Sequence, residues 1–324
     1  MRTLRRCVRT LLIGLLAVLG PETVMAQSWP TKPIRLVIPF AAGGAQDTLA
    51  RAFTAELGTA LGQNVLVENR PGASGTVATG YVARSAPDGY TLILSAASHT
   101  INGTLYAKLD YHPLKDFSAI AAVGSTGYIL AGRGDAPFAT VAELITYGRA
   151  NPGKLNYATA GPGSAAHLSA AYMFSLAGVS AVAIPTKGQN EAMTEVVAGR
   201  SDVMIGTNNI LLPFMNDKRV RILGVTTPKA SGFVPGIAPI AASLPGYQFD
   251  SWFGILGPAG IPKPIAERLN AEVMKLVARA DIRDRLTKQG VEPLTMPSDE
   301  FAAFLGVDFE RMAKVVKAAG ARVE

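Results

Sequence analysis

Two short glycine-containing segments hold the residues of this 324-residue chain best suited to chemistry. The first is Phe40-Ala41-Ala42-Gly43-Gly44-Ala45-Gln46-Asp47; the second is Gly161-Pro162-Gly163-Ser164-Ala165-Ala166-His167. Each follows an apolar run and opens a helical pattern. Glycine has no Cβ, so backbone N–H groups can approach a ligand unobstructed. A helix N-terminus behind such a loop attracts anions. The chemistry this suggests is capture of a carboxylate or phosphate at both ends. Asp47 suits an N-cap or first-turn position, and Ser164 can offer its hydroxyl as well as its N–H. His167, one turn into its helix, either touches a ligand or sits on the helix surface or between lobes. A plain strand-to-helix turn would also account for Gly43 and Gly44.

The elements that must position these loops are legible. Residues 34–40 form a short β-rich run, and Leu49, Phe53, Leu57 and Leu61 recur at helical spacing over 47–61. Further strands are predicted at 64–68, 90–96, 119–131, 155–159, 181–185, 202–206, 220–226 and near 251–256. Helices are predicted at 74–85, 141–150, 164–177, 188–199, 262–279, 281–289 and 298–318. The repeated β-α-β order predicts an α/β protein with parallel sheets covered by helices.

In open α/β sheets ligands bind at the carboxyl ends of the strands. That rule adds Ser95 and His99 after strand 90–96, and Thr186 after strand 181–185, as candidate contacts. Asp202 at the start of the next strand is a further carboxylate candidate, although a strand start lies away from that face. Trp252 and Phe253 supply either an apolar wall or core packing. Gly161-x-Gly163-x-x-Ala166 loosely matches a dinucleotide fingerprint. The next strand ends at Ile184-Pro185-Thr186-Lys187 without an acid for a ribose, so no cofactor is expected.

The segments "PIRLVIPFAAGGAQD", "VENRPGASG", "APDGYTL", "HPLKDF", "KLNYATAGPGSAAHL", "SDVMIG", "SWFGILGPAGIPK" and "FERMAKVVKAAG" occur in this order. Together they resemble the Bug family, periplasmic solute-binding proteins of tripartite tricarboxylate transporters, over nearly all of the chain after residue 28. The resemblance implies a two-lobe type II periplasmic-binding fold, each lobe a mainly parallel sheet flanked by helices with the cleft between. The chain would cross between lobes near 124–132 and 224–232, making residues 27–127 plus 229–324 one lobe and 128–228 the other. The proline-rich stretch 228–247 would wrap the surface between them. The resemblance implies as partners a small carboxylate and the membrane subunits of a transporter, with a sensor kinase as the signalling alternative. It places Thr186 where the family usually has tyrosine, which would open the pocket. A C4 or C5 dicarboxylate or an aromatic carboxylate is expected, an acidic amino acid less so.

Composition narrows the field. Arg2, Arg5, Arg6 and Arg9 precede an apolar run from Leu11 to Gly20, and Val24-Met25-Ala26 offers small-residue cleavage. This reads as a secretory signal over residues 1–26, hence a periplasmic protein. Removing it takes four arginines and one glutamate and brings the net charge from +7 to about +4. It also removes Cys7, the only cysteine. No basic stripe suits nucleic acid, and no later run is apolar for about 18 residues, so no membrane insertion is expected. No metal-ligand spacing, HExxH, Walker A or GxSxG elbow occurs. No catalytic residue is therefore assigned, and a monomeric receptor is expected rather than an enzyme. A secreted α/β hydrolase or dehydrogenase acting on a small carboxylate is the alternative from a different class.

Overall fold

The computed structural model describes residues 29–322. The predicted signal segment and its cleavage site lie outside them. The chain divides into residues 1–31 and a compact unit from Lys32 onward, and this second unit holds every strand and helix among the described residues.

The first half of the unit runs β1 (Ile34–Ile38), α1 (Ala45–Arg51), α2 (Thr54–Leu61), β2 (Val65–Asn69), α3 (Thr76–Ala83), β3 (Thr91–Ala96), α4 (Ser98–Leu105) and β4 (Phe117–Arg133). It continues with α5 (Val141–Ala150), β5 (Leu155–Thr159), α6 (Ala165–Ala177), β6 (Ala181–Pro185), α7 (Gln189–Val197), β7 (Val203–Thr207), α8 (Asn208–Leu211) and β8 (Val220–Val225). It ends with β9 (Asp250–Pro258), α9 (Lys263–Ala278), α10 (Ala280–Lys288), β10 (Glu292–Pro293) and α11 (Ser298–Ala318).

Local chemistry sets many boundaries. The Ser164 hydroxyl accepts the N–H of His167 to cap α6, and Gly178 closes that helix at φ +63°. Thr140 caps α5 by accepting the N–H of Glu143, while the Glu143 carboxylate accepts the N–H of Ala139. The single helix expected over 47–61 is two, because the backbone turns at Phe53 (φ −138°). The turn lets Leu49, Ala50, Phe53, Leu57 and Leu61 all be buried.

Two sheet regions share one strand. In the first, β2, β1 and β3 run parallel, with Ile34 beside Val65 and Arg35 beside Thr91. In the second, β6, β5 and β7 run parallel, with Tyr157 between Ala183 and Val203. The 17-residue strand β4 belongs to both. From Phe117 to Gly127 it pairs antiparallel with β9; from Tyr128 to Gly132 it pairs antiparallel with β7, and beside them with β8. Each half thus has the expected parallel set, β2-β1-β3 in one and β6-β5-β7 in the other, while β4 and β9 run against these neighbours in joining the two halves.

Helices cover both regions. An apolar cluster extends from Val37 and Ile93 of the first region to Leu168 and Met173 on α6, with Phe301, Leu305 and Met312 of α11 among its members. A second cluster gathers Ile129, Met193, Met204 and Val225. The proline-rich stretch expected on the surface buries Val234, Ile240 and Tyr247 completely or nearly so. Val234 joins the second cluster, and the Tyr247 and Ser169 hydroxyls lie 2.8 Å apart.

Candidate functional site

A cavity of about 710 Å³ opens between the two sheet regions. Its position follows from strand direction: the loops leaving the carboxyl ends of β1, β2 and β3 form one wall, and those leaving β5, β6 and β7 form the other. Thr126 and Tyr128 of β4, with Ser251 and Phe253 of β9, line it where β4 changes partners.

On the first wall stand Phe40, Ala41, Ala42, Gly43 and Gly44, as expected from the sequence, followed by Ala45 and Gln46. The loop is tied from behind. Gly43, at φ +79°, donates its N–H to Asp47 Oδ2 at 2.9 Å, and Gly44 donates to the Ala41 carbonyl. Asn69 donates to both the Phe40 carbonyl and Asp47 Oδ1. Arg51 pairs with Asp47 at 3.0 Å, and mainly this bond draws the Asp47 carboxyl down to about 2, against the opposing effect of burial. Asp47, offered by the sequence as a contact, therefore does not line the cavity; its charge is spent on Arg51. Helix α1 has no side-chain cap, and no internal acceptor among the described residues takes the N–H of Ala42, Ala45 or Gln46.

The second wall follows the same plan. Gly163 (φ +74°), Ser164 and Ala165 line the cavity, with Pro162 and Ala166. Gly163 donates its N–H to His167 Nδ1 at 3.2 Å. The imidazole stacks on Tyr157 with ring centroids 6.2 Å apart, and burial lowers its pKa. His167 thus supports the loop from behind as Asp47 does, instead of facing the ligand space. Gly161 (φ +103°) is also outside the lining; it donates to Thr159 Oγ1 and its Cα faces the Thr186 carbonyl. The Ser164 hydroxyl is turned to the Gly161 carbonyl at 2.8 Å.

Four other candidates lie away from the cavity. Ser95 is buried within β3, paired with Gly254 of β9. His99 is enclosed by Tyr111, Phe117 and Trp252, with Nε2 2.7 Å from the Pro113 carbonyl; burial brings its pKa down to about 4. Thr186 places its hydroxyl 2.8 Å from the carbonyls of Thr159 and Gly188. Asp202 precedes β7 at its amino end, where it pairs with Arg133 at 3.0 Å and accepts the N–H of Asn156. A strand start is on the wrong side of the sheet for this cleft.

Ser98, Lys187 and Thr207, which the strand-end rule also reaches, line the cavity; sequence reasoning missed Ser74, Thr126, Tyr128, Gln189 and Ser251. Thr126 and Ser251 carry no such signal, because their exposure depends on how β4 pairs with β9. Alternation along β9 separates the two aromatic residues: Phe253 lines the cavity, whereas Trp252 is buried and donates Nε1–H to Asp308 at 2.8 Å. Lys187 is the single charged residue of the lining, it is exposed, and it has no ion pair among the described residues. No carboxylate, histidine or cysteine lines the cavity. The arrangement can hold an anion by backbone N–H groups, hydroxyls and one ammonium, with Phe40, Phe253 and several alanines against an apolar body.

Residues 49–321 match the family model described as "Tripartite tricarboxylate transporter family receptor". The chain is 31% identical over 313 residues to the UPF0065 protein in the tcbD-tcbE intergenic region of Pseudomonas sp. (strain P51), covering 95% of this chain and 93% of the relative. The structure of R. palustris Rpa4515 with adipate is 32% identical, with TM-score 0.81, covering 91% of this chain and 100% of that one. MatC (Rpa3494) from Rhodopseudomonas palustris with bound malate is 32% identical, with TM-score 0.77, covering 89% of this chain and 100% of that one.

Proposed function

This chain belongs to the family of tripartite tricarboxylate transporter receptors, and from that premise we propose that it captures a small carboxylate in the periplasm and delivers it to membrane subunits of a transporter. One observation carries the reading: two opposed loops, each buttressed from behind, turn helix N-termini toward a cavity lined by no carboxylate. The complexes of two relatives with adipate and malate support this ligand class. The cavity has ample room for a dicarboxylate of four to six carbons or an aromatic carboxylate.

Ligand contacts are assigned to residues 40–46 on one wall and to Gly163, Ser164 and Ala165 on the other. Asp47 and His167 act through the loops they hold. The receptor has two lobes that close on the ligand by a hinge. The change of partners along β4 supports a first crossing at Gly127 and Tyr128. The packing of Val234 and Tyr247 supports a return crossing near Asp250, later than the sequence suggests. The protein works as a binder and not as an enzyme, a reading supported by a lining without an acid–base pair or a thiol. Among the described residues no helix is long and apolar enough to cross a membrane. Export and cleavage near Ala26 belong to this proposal.

The test is the melting temperature of residues 27–324 against aliphatic and aromatic carboxylates and their methyl esters. Ligand at 100 times its Kd adds about 2.7 kcal/mol of stability. A shift of several degrees with an acid and none with its ester supports the reading. No shift with any acid overturns it.

A further inference from the structure

Ser74 and Ser98 line the cavity, and their hydroxyls have no internal partner among the described residues. The other lining hydroxyls have internal partners: Thr126 the Gly290 carbonyl, Ser164 the Gly161 carbonyl, Thr207 the Gln189 side chain, Ser251 the Trp252 carbonyl and Tyr128 the Ser251 side chain. Ser74 stands in an unusual backbone. Ala73 (φ +44°) and Ser74 (φ +53°) are the two non-glycine residues with positive φ among the described residues, flanked by Gly72 and Gly75, which also have positive φ. Such conformations are strained and persist where surrounding structure over-determines them. Here three side chains fix three consecutive carbonyls. Thr76 donates to Ala73 at 2.9 Å, Asn102 to Ser74 at 3.0 Å and Thr79 to Gly75 at 2.9 Å.

Asn102 is 2% exposed and lies one turn beyond Ser98 on α4, so a single buried amide ties the Ser74 turn to the helix that carries Ser98. A strained turn held this firmly, with two unpartnered hydroxyls beside it, is more than chain reversal requires.

We propose that Ser74 and Ser98 form a subsite for a second oxygen-bearing group on the bound acid, with Asn102 as its positioning residue. The inference rests on the carboxylate-receptor reading and deepens it. Neutral hydroxyls donate and accept, so the group is a ligand hydroxyl or the oxygen of a second carboxylate. A ligand lacking it leaves both hydroxyls unpaired, and this gives selectivity.

The test is calorimetric titration of residues 27–324 with hexanoate, adipate and malate. We expect Ser74→Ala and Ser98→Ala each to weaken adipate or malate binding about tenfold, the scale of one hydrogen bond to an ionised group. Hexanoate affinity should stay within about twofold, Ser98→Thr should restore the preference, and Asn102→Asp should lower the adipate-to-hexanoate or malate-to-hexanoate ratio. Loss confined to adipate assigns the subsite to a second carboxylate; loss confined to malate assigns it to a hydroxyl. Equal losses for all three acids, or none, overturn the proposal. Wild-type protein that binds hexanoate as tightly as adipate and malate overturns the subsite while the receptor reading stands. Wild-type protein that binds none of the three overturns the subsite, and the receptor reading falls with it only if the melting panel shows no shift with aromatic acids either.

Discussion

His167 Nδ1 accepts the backbone N–H of Gly163 at 3.2 Å, and so holds from behind a loop that it does not itself present to the cavity. An acceptor at Nδ1 requires the neutral ring with its proton on Nε2. Protonation would set an N–H against an N–H. Burial lowers the histidine pKa from its ordinary value near 6.5, so the neutral form is favoured at neutral pH. Carboxylate affinity is therefore expected to fall as pH drops below that value. His167→Asn keeps an acceptor and cannot titrate, so between pH 7 and pH 5 its affinity should fall less than that of the wild type, leaving only the loss due to protonation of the ligand itself. Calorimetric titration at both pH values checks this; parallel losses in both proteins would remove His167 from the account.

Asp47 plays the same part on the opposite wall, through Gly43. Its folded pKa of about 2 lies below the usual 3.8, chiefly through Arg51. This stabilisation is present above pH 3.8 and is lost as pH falls toward 2; at neutral pH it is worth about 2 kcal/mol. Asp47→Asn should lose stability of that order in urea unfolding at pH 7. It should also weaken carboxylate binding about tenfold, because the Gly43 loop loosens. Unchanged affinity would show that the loop holds its shape without the carboxylate.

A Cβ on Gly163 would stand 2.7 Å from Leu105 Cδ2, at a residue whose φ of +74° already disfavours any side chain. Leu105 ends α4 beneath the first wall, so the two walls meet at a glycine. Gly163→Val should reduce carboxylate affinity at least tenfold while leaving a folded protein. Small-angle scattering should show less compaction with ligand than in the wild type. Normal binding by Gly163→Val would sink this account of how the walls approach.

His99 has no access to the ligand space, yet it titrates. Its folded pKa of about 4 lies below the unfolded value of 6.5, because burial opposes the charged ring. The linked stability is fully present above pH 6.5 and is lost as pH falls toward 4, on the order of 3 kcal/mol in total. The melting temperature should therefore decline from pH 7 to pH 4.5. His99→Gln, which can still donate to the Pro113 carbonyl, should show a shallower decline. Equal slopes would mean that other groups dominate.

The sequence by itself determined the local structure. Strand and helix identities follow from periodicity and from turn residues that act on near neighbours. β5, β6 and α5 fall on the residues expected, and the other predicted strands lie within about two residues of those observed. Both cavity loops were legible for the same reason, since a glycine pair at a strand end is a local signal. α4 was not: Ser98-His99-Thr100 reads as a loop, and only its packing against β3 and α11 makes it a helix. The roles of side chains also waited for the tertiary structure. Asp47 and His167 have the chemistry of ligand contacts, but each reaches back to a glycine four residues earlier. Whether a side chain turns inward or outward depends on which partner lies nearest after folding. Thr126, Ser251 and Phe253 reach the cavity because β4 leaves β9 at Gly127 and joins β7 at Tyr128. That pairing spans more than a hundred residues of chain, and no periodicity within a strand encodes which distant strand will lie beside it.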